Sequence, residues 1–154
     1  MNRPNRTPEE EARERRRTAR HEAGHAVAAL HYGCGIRNIS IGGTWPILGT
    51  TQLGVSDQAH AVALYAGPFA EAEWDMFPDD PGFLSPGDQQ SLDYLGLSPD
   101  QSVFWKQETI RFLAKAEVQQ QIDRVADALL ERIMISKQEL VDISQFTVSL
   151  ADLD

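Results

Sequence analysis

The hydrophobic and polar positions predict a long helix near the start of the chain. Residues 8–31 are rich in Glu, Ala and Arg and include Leu30, and all four residue types favour the helical conformation. Thr7 precedes a Pro-Glu-Glu run and can cap the first turn, while Gly33 and Gly35 provide a stop signal. Residues 1–6 are expected to be a flexible tail before a single domain over 7–150.

The middle of the chain predicts a hairpin and then a buried helix. Residues 36–41 partly alternate between apolar and polar side chains, and residues 47–53 can return as a second strand. The Ala-rich stretch from about Ser56 to Asp75 reads as a helix, which the Gly67-Pro68 pair is expected to kink or interrupt.

The second half of the chain predicts further helices after a loop. Residues 77–87 carry three prolines and two glycines and are typical of a loop. Ser98 caps a helix that the apolar positions extend to about Met134, and Ser136 opens a short last helix to about Phe146. The fold class predicted is mainly α (α+β), with a small sheet beside the first helix.

Composition narrows the class of protein. The 154 residues suffice for one domain with a core, and a net charge of -9 argues against binding to nucleic acid. No apolar run reaches the length of a membrane span, and no signal core follows the basic N-terminus. A single cysteine excludes an internal disulfide. We therefore expect a soluble cytoplasmic protein without a membrane segment.

Candidate chemistry lies inside the first predicted helix, in the sequence H-E-A-G-H. His21 and His25 are four residues apart, so both imidazoles project from the same helix face and can bind one cation. In the H-E-x-x-H pattern two neutral imidazoles bind zinc and the glutamate, here Glu22, acts as general base. Gly24 weakens the helix by about 1 kcal/mol relative to Ala, which makes sense where another element approaches closely.

A catalytic zinc ion usually takes three protein ligands, so a third ligand is expected elsewhere in the chain. His31 is rotated off the ligand face, and His60 lies on an Ala-rich helix where packing is its ordinary role. Glu71 forms an E-x-x-x-D pair with Asp75, as in zinc peptidases with a glutamate ligand. Asp88, in the first turn of a helix, is a further carboxylate with accessible oxygens.

Several stretches share their wording with one enzyme family and together run from about Arg17 to Ile143. The stretches are H-E-A-G-H-A (21–26), I-R-N-I-S-I (36–41), L-G-T-T-Q (48–52), A-G-P-F-A-E (66–71), S-P-G-D (85–88) and A-D-A-L-L-E-R-I with S-K-Q-E-L (126–140). The chain resembles the peptidase domain of the FtsH-type, membrane-bound, ATP-dependent zinc proteases. It carries no G-x-x-x-x-G-K-[ST] phosphate loop and no membrane helices.

The resemblance implies a zincin-like helical domain and a ligand set. His21, His25 and Asp88 would hold Zn²⁺ and Glu22 would be the catalytic base, with Asp93 as an alternative to Asp88 if the loop alignment slips. It also implies that an unfolded or extended peptide pairs with an edge strand, which residues 36–43 would offer. Without a phosphate loop the chain is expected to act independently of ATP, or with a separate ATPase partner.

The function predicted from the sequence is therefore zinc-dependent hydrolysis of peptide bonds. The main alternative is a zinc-stabilised peptide-binding or regulatory domain with little or no turnover, which acts with a partner. A helical structural domain without a metal is the third hypothesis. The sequence leaves the oligomeric state and the physiological substrate open.

Overall fold

The computed structural model describes residues 6–43, 49–74 and 86–152, and it confirms a mostly helical fold with one small antiparallel sheet. A 3₁₀ turn, Gln58–His60, precedes the second helix. The elements in chain order are α1 (Pro8–Tyr32), β1 (Gly35–Ser40), β2 (Thr50–Gly54), α2 (Ala61–Trp74), α3 (Pro86–Leu95), α4 (Pro99–Leu113), α5 (Ala116–Arg132), β3 (Met134–Ile135) and α6 (Lys137–Asp152).

Helix α1 begins and ends where the sequence predicts. The Thr7 side chain accepts a hydrogen bond from the Glu10 backbone N–H, and Gly33 ends the helix in the left-handed conformation with φ of 72°. The first half of the helix is largely exposed, whereas residues 19–29 are buried against the rest of the domain, except for the partly buried His21. The H-E-A-G-H motif therefore lies in the part of α1 that is fixed by packing.

The three strands form an antiparallel sheet in the order β2-β1-β3. The predicted hairpin of β1 and β2 is confirmed, although residues 47–48 of the predicted second strand lie outside the described residues. The prediction that residues 36–43 form an edge strand is wrong. Ile39 and Ser40 pair with β2 on one side and with β3 on the other, so among the described strands β1 is central and β2 is an edge.

Helix α2 runs through the Gly67-Pro68 pair without a break, so the predicted interruption is not observed. Proline lacks a backbone N–H and its ring crowds the preceding turn, yet α2 continues across Pro68 and packs along α1. The contact depends on small residues: a Cβ atom on Gly24 would lie 2.5 Å from the Ala66 carbonyl oxygen and 2.8 Å from the Ala70 Cβ atom. Gly24 therefore marks a close approach, as the sequence suggested.

The prediction of a single helix from Ser98 to about Met134 is wrong, because this segment forms two helices, α4 and α5. The chain leaves the helical conformation at Lys115, which has φ of -72° and ψ of 129°, and α5 then packs against α1. No glycine or proline marks this turn. Folding back lets Phe112 at the end of α4 and Val118 at the start of α5 both be buried in the same core. Tertiary packing thus outweighs continuous helical propensity.

The C-terminal elements agree with the sequence in their start and differ in their length. Ser136 and Glu139 form the predicted capping box at the start of α6, but the helix continues to Asp152 rather than ending near Phe146. The two-residue strand β3 was not predicted, because so short a segment has no detectable alternation. None of the helices in the described ranges is long and apolar enough to cross a membrane.

Candidate metal centre

The helical spacing of the motif brings the two imidazoles together. The Nε2 atom of His25 lies 3.1 Å from the Nε2 atom of His21, and the rings meet edge to face with centroids 4.8 Å apart. Two nitrogen ligands of a tetrahedral zinc ion, each at about 2.0–2.1 Å, would be roughly 3.3 Å apart. The two side chains thus present one nitrogen each at a spacing suited to a shared cation.

Asp88 joins this pair from the first turn of α3. Its Oδ2 atom lies 3.1 Å from the Nε2 atom of His25. One ligand atom from each of His21, His25 and Asp88 falls within 4.8 Å of the others, so within the described ranges these three side chains form a group that could hold a metal ion. The three residues predicted as ligands are therefore brought to one point by the fold.

The remote nitrogen of each imidazole has an acceptor that fixes its orientation. Nδ1 of His21 donates to the Glu71 Oε2 atom at 2.8 Å, and Nδ1 of His25 donates to the Ala63 carbonyl oxygen at 2.7 Å. A carboxylate and a carbonyl oxygen only accept, so each ring carries its proton on Nδ1 and directs Nε2 toward the shared point. Zinc-binding histidines have this arrangement, and the donor set fits Zn²⁺.

The other ligand candidates lie elsewhere or have other partners. Glu71 is on the far side of the His21 ring, where it is an outer partner of the imidazole. His60 accepts backbone N–H bonds from the turn before α2, and His31 donates to the Gln121 side chain. Asp93 is exposed and accepts from its neighbour Gln89. Asp75 lies outside the described residues.

Glu22 is held by strand β2, a contact that the sequence did not reveal. Its side chain is buried, and its Oε1 atom accepts a hydrogen bond of 2.7 Å from the Thr51 hydroxyl. Gly49, just before β2, lies so close that a Cβ atom there would be 2.8 Å from the Glu22 Oε2 atom. The strand therefore fixes the candidate base beside the two imidazoles.

Gly67 has a role that its sequence context hid. A Cβ atom at this position would lie 2.3 Å from the Nε2 atom of His25 and 2.5 Å from its Cε1 atom. The His25 imidazole therefore occupies the space that any other residue at position 67 would fill. The Gly-Pro pair predicted a helix break at this position. The contact with His25 could not be predicted, because the sequence pattern does not indicate which side chain faces a glycine across a helix pair.

Three carboxylates and two imidazoles share the charge of the site. Burial lowers the pKa of His25, but the hydrogen bond and charge of Asp88 outweigh it and raise the pKa to about 9. Burial raises the pKa of Glu71, but the hydrogen bond and charge of His21, together with the Arg17 guanidinium, hold it below its usual range. Without a metal, a proton therefore occupies the His25 nitrogen that a cation would take at neutral pH.

Compared with known proteins, the chain matches no family model, and no curated protein is significantly similar to it. The resemblance to the FtsH-type peptidase domain therefore depends on the short motifs quoted above.

Proposed function

We propose that this protein is a zinc-dependent peptidase. The observation that carries the proposal is the convergence of His21, His25 and Asp88 within 4.8 Å, with Glu22 held next to the histidines on the same helix. The FtsH-like motifs support the same reading, because the residues that they would designate as ligands are the ones that converge. An aspartate and two histidines leave a position open for water, as catalytic zinc sites require.

Each residue has a distinct task in this proposal. Bound zinc would polarise the scissile carbonyl and lower the pKa of a coordinated water to about 7. Glu22 accepts the proton of the attacking water and passes it to the leaving amine. Thr51 keeps one Glu22 oxygen occupied, so the other oxygen is the one that exchanges protons. Glu71 and the Ala63 carbonyl hold the imidazoles in the tautomer that binds metal.

The substrate class that we propose is an extended or unfolded peptide. Strand β2 is an edge of the sheet among the described strands, and its Thr51 contacts Glu22. A peptide that adds to β2 as a further strand would pass beside the candidate base, with backbone hydrogen bonds supplying affinity. A folded substrate would first need unfolding, for which a separate ATPase chain in the cytoplasm could serve.

The test is hydrolysis of an unfolded protein such as casein by the zinc-loaded chain. Glu22→Gln keeps the size of the side chain and removes its basicity, so we expect turnover to fall by about 10²–10⁴-fold while zinc content stays at one per chain. Glu9→Gln, the same change in the exposed first turn of α1, is the matched control and should cleave like the unchanged protein. Undiminished cleavage by Glu22→Gln would defeat the mechanism.

A second candidate function follows from the burial of Glu22. Its side chain is 5% exposed and already engaged by Thr51, an arrangement that also suits a site that binds peptide with little turnover. In that case the zinc-loaded protein would bind an extended peptide, and Glu22→Gln would leave both the affinity and the negligible cleavage rate unchanged. A peptide-binding titration run beside the casein digest separates the two functions.

A further inference from the structure

The Glu71 carboxylate has contacts on both of its oxygens. Oε2 accepts from the His21 imidazole at 2.8 Å, and Oε1 lies 2.9 Å from the Arg17 guanidinium. Arg17 and His21 are four residues apart on α1, so they lie on the same face of that helix, and Glu71 reaches both from α2. The three side chains form a connected row that ends at the candidate metal position.

We propose that Arg17 is a positioning residue of the metal centre and acts through Glu71. Rotation of the Glu71 side chain would take Oε2 away from His21, and this side chain is 25% exposed, so its burial alone does not prevent rotation. The guanidinium holds Oε1 from the opposite side and keeps Oε2 on the Nδ1 proton. Fixing that proton fixes the His21 nitrogen that is directed at the metal.

An ordinary surface ion pair is the competing explanation, because Arg17 is 32% exposed and such pairs contribute little to stability. The two explanations predict opposite changes in metal affinity when Arg17 is removed, and only one of them acts through Glu71. Removing a positive charge near a cation site strengthens cation binding by simple electrostatics. Removing a positioning residue weakens it, and does so through Glu71 alone. Metal affinity therefore separates the explanations where folding stability does not.

The inference rests on the proposed metal centre, and its test is the zinc dissociation constant of the full chain, measured by competition with a chromophoric chelator. We expect Glu71→Gln to weaken binding by about 10–100-fold, as outer partners of zinc-binding histidines do. Arg17→Gln, one contact further out, should weaken it by roughly three- to tenfold, and Arg17→Lys should recover part of the loss.

Two further variants identify the route. In a chain that already carries Glu71→Gln, adding Arg17→Gln should cause no additional weakening, because residues that act as a unit are not additive. Arg16→Gln removes the same charge from the neighbouring exposed position on α1 and should stay within about twofold of the unchanged protein. Each variant should show a cooperative urea-unfolding transition like that of the unchanged protein, which confirms that it is folded.

Three results would contradict the inference at different levels: the role of Arg17, its route through Glu71, and the metal centre. Zinc binding by Arg17→Gln that equals or exceeds that of Arg16→Gln would overturn the inference, because only simple charge loss would remain. An equal loss in the presence and absence of Glu71 would overturn the proposed route. Failure of the unchanged protein to bind zinc would overturn the metal centre itself. Because the unchanged protein is measured first, this outcome is distinguished from a failure of the Arg17 inference.

Discussion

The two parts of the fold that meet at the candidate metal centre are built differently. Helices α1 and α2 pack closely through glycine and alanine, and they supply both imidazoles, the candidate base and the acceptors on Glu71 and Ala63. Helix α3 supplies Asp88 and has a single buried residue, Leu92. One part is embedded in the core, and the other is a short amphipathic helix on its surface.

This difference suggests a division of work between geometry and charge. The α1–α2 pair sets the direction of each imidazole before any ligand arrives, since both rings are held by neighbouring atoms. Asp88 adds the negative charge that favours a cation, or a proton on His25 in its absence. Damage to the α1–α2 pair should therefore destroy the centre, whereas damage to α3 should weaken it.

The largest effect is expected from Gly67→Ala. The added methyl group would lie 2.3 Å from the His25 ring atom that is directed at the metal, so the ring or the helix must move. We expect zinc affinity to fall by more than about 100-fold and the free energy of unfolding of the metal-free protein to fall by roughly 3 kcal/mol. Zinc titration and urea unfolding measure the two quantities.

Gly87→Ala is the control for that change. It adds the same methyl group in α3, beside Asp88, where no atom of the described residues lies within 4 Å of the new atom. Because Ala favours helix over Gly, stability should be unchanged or rise by up to about 1 kcal/mol. Equal losses of zinc affinity and of unfolding free energy in Gly67→Ala and Gly87→Ala would mean that the two parts of the site do not differ in packing.

The second effect concerns pH and the contact between His25 and Asp88. The folded-state pKa of His25 is raised from 6.5 to about 9, so its contribution is fully present below pH 6.5 and is lost as pH rises through about 9. The metal-free protein should lose up to about 3 kcal/mol of unfolding free energy over this range, by the conversion of about 1.4 kcal/mol per pKa unit.

Asp88→Asn and zinc each test that assignment. The asparagine variant should show most of the pH dependence removed, because the charge that stabilises protonated His25 is gone. Saturating zinc should abolish this loss above pH 6.5, since the metal displaces the proton from His25 and neither the zinc-loaded nor the unfolded protein then has a proton to release. A metal-free protein whose urea midpoint is flat between pH 6.5 and 9 would refute the assignment.

The smallest effect is expected from Leu92→Ala, which removes the buried contact of α3. Leu92 packs with Leu64 and Tyr65 of α2, so the change should cost about 2 kcal/mol of stability at most, near the low end for a buried leucine. Zinc affinity should fall with it, because Asp88 shares the helix. Leu129→Ala, in α5, should reduce stability by at least as much and leave zinc affinity nearly unchanged.

Local signals in the chain were enough for several parts of the fold. Thr7, Gly33 and the Ser136–Glu139 capping box set helix ends through contacts within a few residues, and the structure confirms all of them. The same holds for the spacing of His21 and His25, which helix geometry alone brings together. The capacity of Gly24 for close approach was also visible, although its partner was not.

Other features depend on contacts between distant residues. The turn at Lys115 has no breaker residue, and β1 is central only because the two-residue strand β3 returns to it from the end of α5. The sequence predicted a helix break at Gly67, whereas in the structure the His25 ring lies against this glycine. The partners of Glu22 and His21, on β2 and α2, carry no mark that distinguishes them from other threonines and glutamates.

By itself, the sequence determined a helix with two imidazoles and a carboxylate on one side, capped at both ends. Its physical basis is local, because propensity, capping and a period of 3.6 residues act within one or two turns. Only the tertiary structure decided which acid meets the imidazoles, which nitrogen each ring presents, and what holds the base. Those outcomes depend on contacts between residues that are 29 to 63 positions apart in the chain, and close packing selects them by excluding every arrangement in which atoms overlap.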